Sequence, residues 1–145
     1  MSGKQLSTVS ILCKQLILFA VGGGVYCGLE QIFRGRTHWT MFIVGGLCFI
    51  FCGLLNERRE DAPLWQQMLL GSVIITAIEF ISGCIVNLAL GWNVWDYSNI
   101  PFNVLGQICL PFSLLWCLVA LVAIFLDDLV RYLLFKEKFP HYHFF

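Results

Sequence analysis

The sequence predicts an all-α integral membrane protein with four transmembrane helices. Of the 145 residues, 59% are hydrophobic and only 12% are charged, whereas soluble domains carry about 25% charged residues. The apolar residues also form four runs, over residues 11–29, 39–55, 64–90 and 105–134. Each run reaches the roughly 17 residues of the shortest usual transmembrane helix. At this length we expect a single membrane domain over residues 1–145, with no separate soluble domain.

The first two spans contain closely spaced glycines. Gly24 and Gly28 form a GxxxG motif in the first span, and Gly45 and Gly46 lie in the second. Because small residues let two transmembrane helices approach closely, we expect close helix packing at these positions. The sequence leaves open whether the contacts form within one bundle or between subunits.

The third span contains one charged side chain, Glu79, near its centre. Burying a carboxylate in a bilayer costs about 2.5–3.5 kcal/mol even on lenient scales, so such residues usually face a bundle interior or a wet cavity. At about 100° per residue, the small and polar residues of this helix share an arc of about 80°. They are Ser72, Thr76, Glu79, Gly83 and Asn87. We call this arc the polar seam, and we expect the isoleucines on the opposite side to face lipid.

A loop rich in aromatic side chains follows the third span, over residues 91–103. Trp92, Trp95 and Tyr97 surround Asp96, which is the only charge in the loop. Aromatic residues favour the membrane interface, so a simple aromatic belt accounts for them. The alternative is an outer mouth, in which aromatic faces and a carboxylate hold a cation or an amine.

The fourth span begins with further polar groups. Asn103 and Gln107 carry amides that both donate and accept hydrogen bonds. Pro111 cannot donate a helical hydrogen bond to the carbonyl of Gln107, so we expect a kink near this position. Together with Glu79 and Asn87, these amides are candidates for the lining of a solute pathway.

Charged residues at the ends of the helices suggest ion pairs. Glu30 and Arg34 are four residues apart and can pair if the first helix continues that far. Near the end of the fourth span, Arg131 follows Asp127 and Asp128 by four and three residues. That spacing favours a salt-bridged gate or anchor on the inner side.

The distribution of Lys and Arg predicts that both termini lie in the cytoplasm and that residues 91–103 lie outside. In this orientation only Arg34 and Arg36, of the nine basic residues, fall on the outer side, in agreement with the positive-inside rule. We expect Arg34 and Arg36 to pair with nearby carboxylates. The alternative is that, together with His38, they attract an anion. The aromatic residues 139–145 are suited to the membrane surface.

Several classes of function lack support in the sequence. The net charge is +0, so no basic surface for nucleic acid is predicted. The seven cysteines lie in apolar segments, and we expect buried thiols rather than disulfides or metal ligands. No catalytic spacing of Ser and His is present, so we predict no enzyme activity, no cofactor and no metal. Because there is no GxxxxGK[ST] loop, any ATP hydrolysis would need a separate ATPase subunit.

The chain resembles a known family of bacterial membrane proteins over residues 20–142. The most specific segment is WDYSNIPFNVLGQICL, which begins at Trp95. Further matching segments are RGRTHW, GGLCF, LNE, LDDLVRY and PHY. The family is described as putative ABC-transporter type IV, or CmpB-like. The resemblance implies a small polytopic membrane protein with a role in transport, and it assigns no binding residues.

The sequence therefore supports a transporter or permease component of the bacterial inner membrane that moves or binds a small polar or cationic solute. Glu79 would be its protonatable or cation-binding group, and Asp96 would lie at the outer mouth. One alternative is an accessory subunit without transport activity, which forms a homodimer or joins a larger membrane complex. Another is an intramembrane lipid-modifying enzyme.

Overall fold

The structure, a computed structural model, describes residues 8–58 and 61–145. These residues are mainly helical, and their four α-helices are α1 (Thr8–Arg34), α2 (Trp39–Arg58), α3 (Leu64–Gly83) and α4 (Leu110–Phe135). A π-helical turn, Cys84–Ala89, extends α3. A short antiparallel hairpin of β1 (Asn103–Val104) and β2 (Ile108–Cys109) precedes α4.

Contacts at the two ends show that successive helices run antiparallel. At one end, Glu137, which follows α4, pairs with Lys14 of α1. At the other end, Arg34 of α1 donates a hydrogen bond to the carbonyl of Val94, in the loop that follows α3. We call these the terminal end and the loop end.

The bundle consists of two helical hairpins that meet mainly through α2. The helices α1 and α2 pack closely, as do α3 and α4, and α2 contacts both α3 and α4. By contrast, α1 and α4 barely touch. The buried cluster of Cys52, Ile75, Trp116 and Ala120 lies where α2, α3 and α4 meet. One side of the bundle, between α1 and α4, is therefore less tightly closed than the others.

Glycines allow α1 and α2 to approach closely. A Cβ atom at Gly45 would lie 2.5 Å from the Cβ of Tyr26, and one at Gly46 would meet a phenylalanine ring. Gly24 and Gly28 differ, because a Cβ atom at either position would have nothing described within 4 Å. The second-span glycines therefore form the predicted close contact inside the bundle, and the GxxxG pair faces away from it.

Among the described residues, three helical segments are long and apolar enough to cross a membrane: Ser10–Arg34, Leu64–Ala89 and Leu110–Phe135. The apolar part of α2, Trp39–Leu55, is shorter. Many large apolar side chains on these helices are exposed, as expected for surfaces that contact lipid tails. The helices and their apolar surfaces therefore confirm the prediction of an all-helical protein that suits a membrane.

The fourth helix begins at Leu110, so the prediction that this span starts at residue 105 is wrong. Leu105 and Gly106 have φ values of 55° and 71° and form the tight turn between β1 and β2, since positive φ at both central residues suits a hairpin turn. Pro111 consequently lies in the first turn of α4, where its missing N–H costs no helical hydrogen bond. The predicted kink at Pro111 is wrong for the same reason.

Candidate functional site

Glu79 is buried in the middle of α3 and is held by two neutral donors. The hydroxyl of Tyr97 donates to one carboxylate oxygen at 2.7 Å. The indole N–H of Trp116 donates to the other oxygen at 2.9 Å. In the part of the chain that the structure describes, no Lys, Arg or His forms an ion pair with Glu79. The negative charge of the carboxylate therefore has hydrogen bonds but no fixed counter-ion.

The two donors belong to a row of aromatic rings. The ring of Tyr97 stacks on Phe112, with centroids 4.9 Å apart and an interplanar angle of 14°. Phe112 in turn lies 5.9 Å from the ring of Trp116. We call these three rings the aromatic shelf. It brings Tyr97 of the loop and Trp116 of α4 onto the carboxylate, with Phe112 packed between the two rings.

Glu79 also borders an apolar cavity of about 80 Å³. Residues of all four helices line it, and nearly all of them are apolar or aromatic. The polar groups on its wall belong to Glu79, Tyr26 and Trp116. Val25 of α1 and Val122 of α4 line the cavity and are also exposed at the bundle surface. The cavity therefore lies beside the weakly packed gap between α1 and α4.

Ser72 and Thr76, the part of the polar seam nearer the terminal end, join α3 to α4. The hydroxyl of Ser72 donates to the carbonyl of Ser113 at 2.5 Å. The hydroxyls of Thr76 and Ser113 lie 2.9 Å apart. These contacts satisfy the small polar side chains within the helix pair, so this part of the seam is used for packing.

Asn87 and Gln107 fill the space on the side of Glu79 that faces the loop end. The Asn87 amide donates to the side-chain oxygen of Gln107 at 2.8 Å and accepts from the N–H of Val94 at 2.7 Å. The carbonyl of Gln107 accepts from the indole N–H of Trp95 at 3.0 Å. A Cβ atom at Gly83 would lie 2.6 Å from the side-chain oxygen of Gln107, so no gap remains there. We call this group the amide cluster, and it fastens the loop onto the end of α3.

Asp96 and Asn103 shape the loop and do not meet Glu79. Asp96 accepts hydrogen bonds from the N–H of Ser98 at 2.9 Å and from its hydroxyl. These bonds hold the pKa of the exposed Asp96 carboxyl below its usual range. The Asn103 amide donates to the carbonyl of Ile100 at 2.9 Å, and its oxygen accepts from the N–H of Gly106 at 3.1 Å. Both side chains therefore stabilise turns.

Trp92 lies at the loop end, away from the aromatic shelf. Its ring lies 5.7 Å from that of Trp39 and 5.9 Å from that of His38. It borders a second cavity of about 180 Å³, which is polar. Arg34 lines this cavity and contacts both carboxylate oxygens of Glu30, at 3.1 and 3.3 Å. Glu30 and Arg34 therefore form an ion pair at the loop end.

At the terminal end, the carboxylate of Asp127 is also buried. Arg131 donates to it at 2.8 Å and also pairs with Glu57 of α2. Asp127 is 0% exposed and Arg131 is 4% exposed, so both charges are removed from water. Gly53 of α2 leaves room for this carboxylate, because a Cβ atom there would lie 2.5 Å from one of its oxygens.

The C-terminal residues fold back onto the terminal end. Asp128 accepts a hydrogen bond from the hydroxyl of Tyr142, and burial together with this bond raises the pKa of Tyr142. The ring of Tyr142 packs against that of Phe125, with the ring centroids 4.7 Å apart. The carbonyl of His143 accepts from the N–H of Leu64 at 2.9 Å. The tail therefore binds to the bundle through specific contacts that its amphiphilic composition did not predict.

The structure brings some of the predicted pathway residues together and separates others. Glu79 and Tyr97 meet directly, and Asn87, Trp95 and Gln107 form the amide cluster. Sequence reasoning did not select Trp116, which donates to Glu79. The sequence did contain a sign of this contact: Trp116 places an indole N–H inside an apolar span, and such a group needs a buried hydrogen-bond partner.

A family model described as Putative ABC-transporter type IV matches residues 16–141. No solved structure matches the chain. Because the match covers most of the sequence, the chain belongs to this family.

Proposed function

We propose that this member of the ABC-transporter type IV family is a membrane-embedded transport component that binds a cationic solute at Glu79. The observation that carries the proposal is a buried carboxylate that has two neutral hydrogen-bond donors, lacks a described counter-ion and borders a cavity. A charged group at this depth usually faces a solute or ion pathway.

The surroundings of Glu79 suit a cation better than an anion or a neutral sugar. The carboxylate supplies the negative charge, and its two neutral donors, Tyr97 and Trp116, leave that charge uncompensated. The cavity wall also offers few other polar groups with which a polyol could bond.

Tyr97 is well placed to act as the gate on the side of the loop end. Its hydroxyl is bonded to Glu79, and its ring packs on Phe112. A solute passing between the carboxylate and the loop would have to displace this ring. Asn87 and Gln107 then have a supporting role, because they hold the loop that carries Tyr97.

For topology, we place the terminal end in the cytoplasm and let all four helices cross the bacterial inner membrane. The positive-inside rule supports this orientation. We further propose a role without enzyme activity of its own, in which a separate ATPase subunit would supply any ATP-driven step.

An accessory role in a larger membrane complex is the second candidate. The observation that favours it is the outward-facing pair of Gly24 and Gly28, since GxxxG faces commonly contact another transmembrane helix. Stable co-purification of a second membrane protein, with no transport by the chain alone, would support this candidate.

The transport proposal is tested by cation flux in proteoliposomes that contain only this chain. We expect Glu79→Gln to reduce flux to that of empty liposomes. The Gln side chain can still accept from Trp116 and donate to Tyr97, so it removes the charge while retaining both contacts. Asp96→Asn is the matched control, because it neutralises an exposed carboxylate of the loop. Unchanged flux in Glu79→Gln would overturn the proposal.

A further inference from the structure

We infer that the site at Glu79 is loaded sideways from the bilayer, and that its solute is an amphiphilic amine with one cationic nitrogen and an apolar body. This inference rests on the proposed function, because it assumes that Glu79 binds the solute. It adds the route of entry and the chemical class.

The route from the loop end is filled by side chains. Tyr97 is hydrogen-bonded to the carboxylate and stacked on Phe112. Beyond it, Asn87 and Gln107 are bonded to each other, and Gln107 packs against Gly83. A solute arriving from water on this side would therefore meet two bonded layers before it reached Glu79.

The interior at the terminal end is also filled. Asp127 and Arg131 are buried there in an ion pair, and Arg131 also pairs with Glu57 of α2. Gly53 packs directly on the Asp127 carboxylate. At this end the buried carboxylate is therefore already paired with Arg131 and packed against the backbone of α2.

The lateral side differs from both ends. The cavity beside Glu79 is lined by Val25 and Leu29 of α1 and by Val122 of α4. These side chains are 41%, 39% and 58% exposed, although they line a cavity inside the bundle. Because α1 and α4 barely touch, the cavity opens between these helices onto the lipid-facing surface.

The residues that line the cavity favour a solute with an apolar body. Apart from Glu79, Tyr26 and Trp116, the lining consists of aliphatic, aromatic, thiol and glycine groups. A small hydrated cation would lose its water here and gain a single carboxylate partner, which leaves much of its desolvation uncompensated. An amine with an alkyl chain places its nitrogen at Glu79 and its chain against the apolar wall or in the gap. Because the chain leaves water when the amine enters the bilayer, the removal of the chain from water compensates overall for desolvation of the head.

Equilibrium binding to the protein in lipid nanodiscs tests this inference. The probes are radiolabelled octylamine, ethylamine as the same head without the tail, and octanol as the tail without the charge, with empty nanodiscs as background. We expect specific octylamine binding that is at least about tenfold tighter than that of ethylamine and is lost in Glu79→Gln. Specific octanol binding of equal strength would overturn the assigned class.

The lateral route is tested by filling the gap. Val122→Trp should weaken octylamine binding by about tenfold or more, and Val25→Trp on the facing helix should do the same. Leu118→Trp is the matched control, because Leu118 is exposed on α4 one turn away and does not line the cavity. Equal binding by all three variants, each checked for folding by circular dichroism, would overturn the lateral route.

The outcomes separate the two proposals. If octylamine and ethylamine bind equally well, and both depend on Glu79, the lateral inference fails and the cation site remains. If no amine binds in a manner that depends on Glu79, both proposals fail.

Discussion

Glu79 and Asp127 are two of the carboxylates buried in the helices, and their surroundings differ in one decisive respect. Asp127 has an internal cation, because Arg131 contacts it from the next turn of α4. Among the described residues, Glu79 has only the neutral donors Tyr97 and Trp116. We assign the carboxylate that has its own counter-ion to the scaffold, and we propose that the other carboxylate, which borders a cavity, binds an external cation.

The largest effect should come from removing the counter-ion of Asp127. Arg131→Met leaves a buried carboxylate uncompensated, and breaking such a pair costs about 3–5 kcal/mol. We expect a matching fall in the free energy of unfolding, measured by denaturant titration in detergent. The double variant Asp127→Asn/Arg131→Met removes both charges and should recover much of the loss. A single variant as stable as the unmodified protein would show that Asp127 does not depend on Arg131.

Two changes at Glu79 separate hydrogen bonding from charge. Glu79→Ala leaves the hydroxyl of Tyr97 and the indole of Trp116 without their partner, and each unsatisfied group costs about 1–3 kcal/mol. Glu79→Gln keeps both contacts, so its free energy of unfolding should stay within about 1 kcal/mol of the original. We expect both variants to lose cation flux, but only Glu79→Ala to be clearly destabilised. If Glu79→Gln unfolded as readily as Glu79→Ala, the carboxylate would have a structural role through its charge.

The smallest effect is expected at Asp96, the exposed carboxylate that serves as a reference for the other two. Its pKa is lowered by the hydrogen bonds from Ser98. The contribution of Asp96 to the loop is thus present above the unfolded pKa of about 3.9. It is lost as the pH falls through the lower pKa of the folded state. An NMR titration of the Asp96 carboxyl carbon should give a midpoint below that of an unfolded peptide, and Ser98→Ala should move the midpoint upward.

Helical periodicity predicted part of the buried face of α3. Of the five residues placed on one arc, Ser72, Glu79 and Gly83 are buried in the structure, and Thr76 and Asn87 are half-buried. These positions are fixed by local geometry, since residues three and four apart share a side of a helix. The class of the fold followed from composition and from the length of the apolar runs for equally simple reasons.

The partners of Glu79 could not be predicted in this way. Tyr97 and Trp116 are 18 and 37 residues away in the chain, and no spacing rule links them to the carboxylate. The hairpin was also missed, because its turn depends on positive φ at Leu105 and Gly106 within a sequence that looks apolar and helical. Both results depend on tertiary packing, which outweighs local pattern.

The glycine contact between α1 and α2 has a mechanical consequence. Because the backbones approach closely at Gly45 and Gly46, we expect the first two helices to move together, as one lever. That lever rests on the second pair of helices mainly through α2, so α2 is the fulcrum. A small rotation of α1 and α2 together about this contact would widen or narrow the gap between α1 and α4 without separating α1 from α2. We therefore expect the gap beside Glu79 to change width more easily than the contact between α1 and α2.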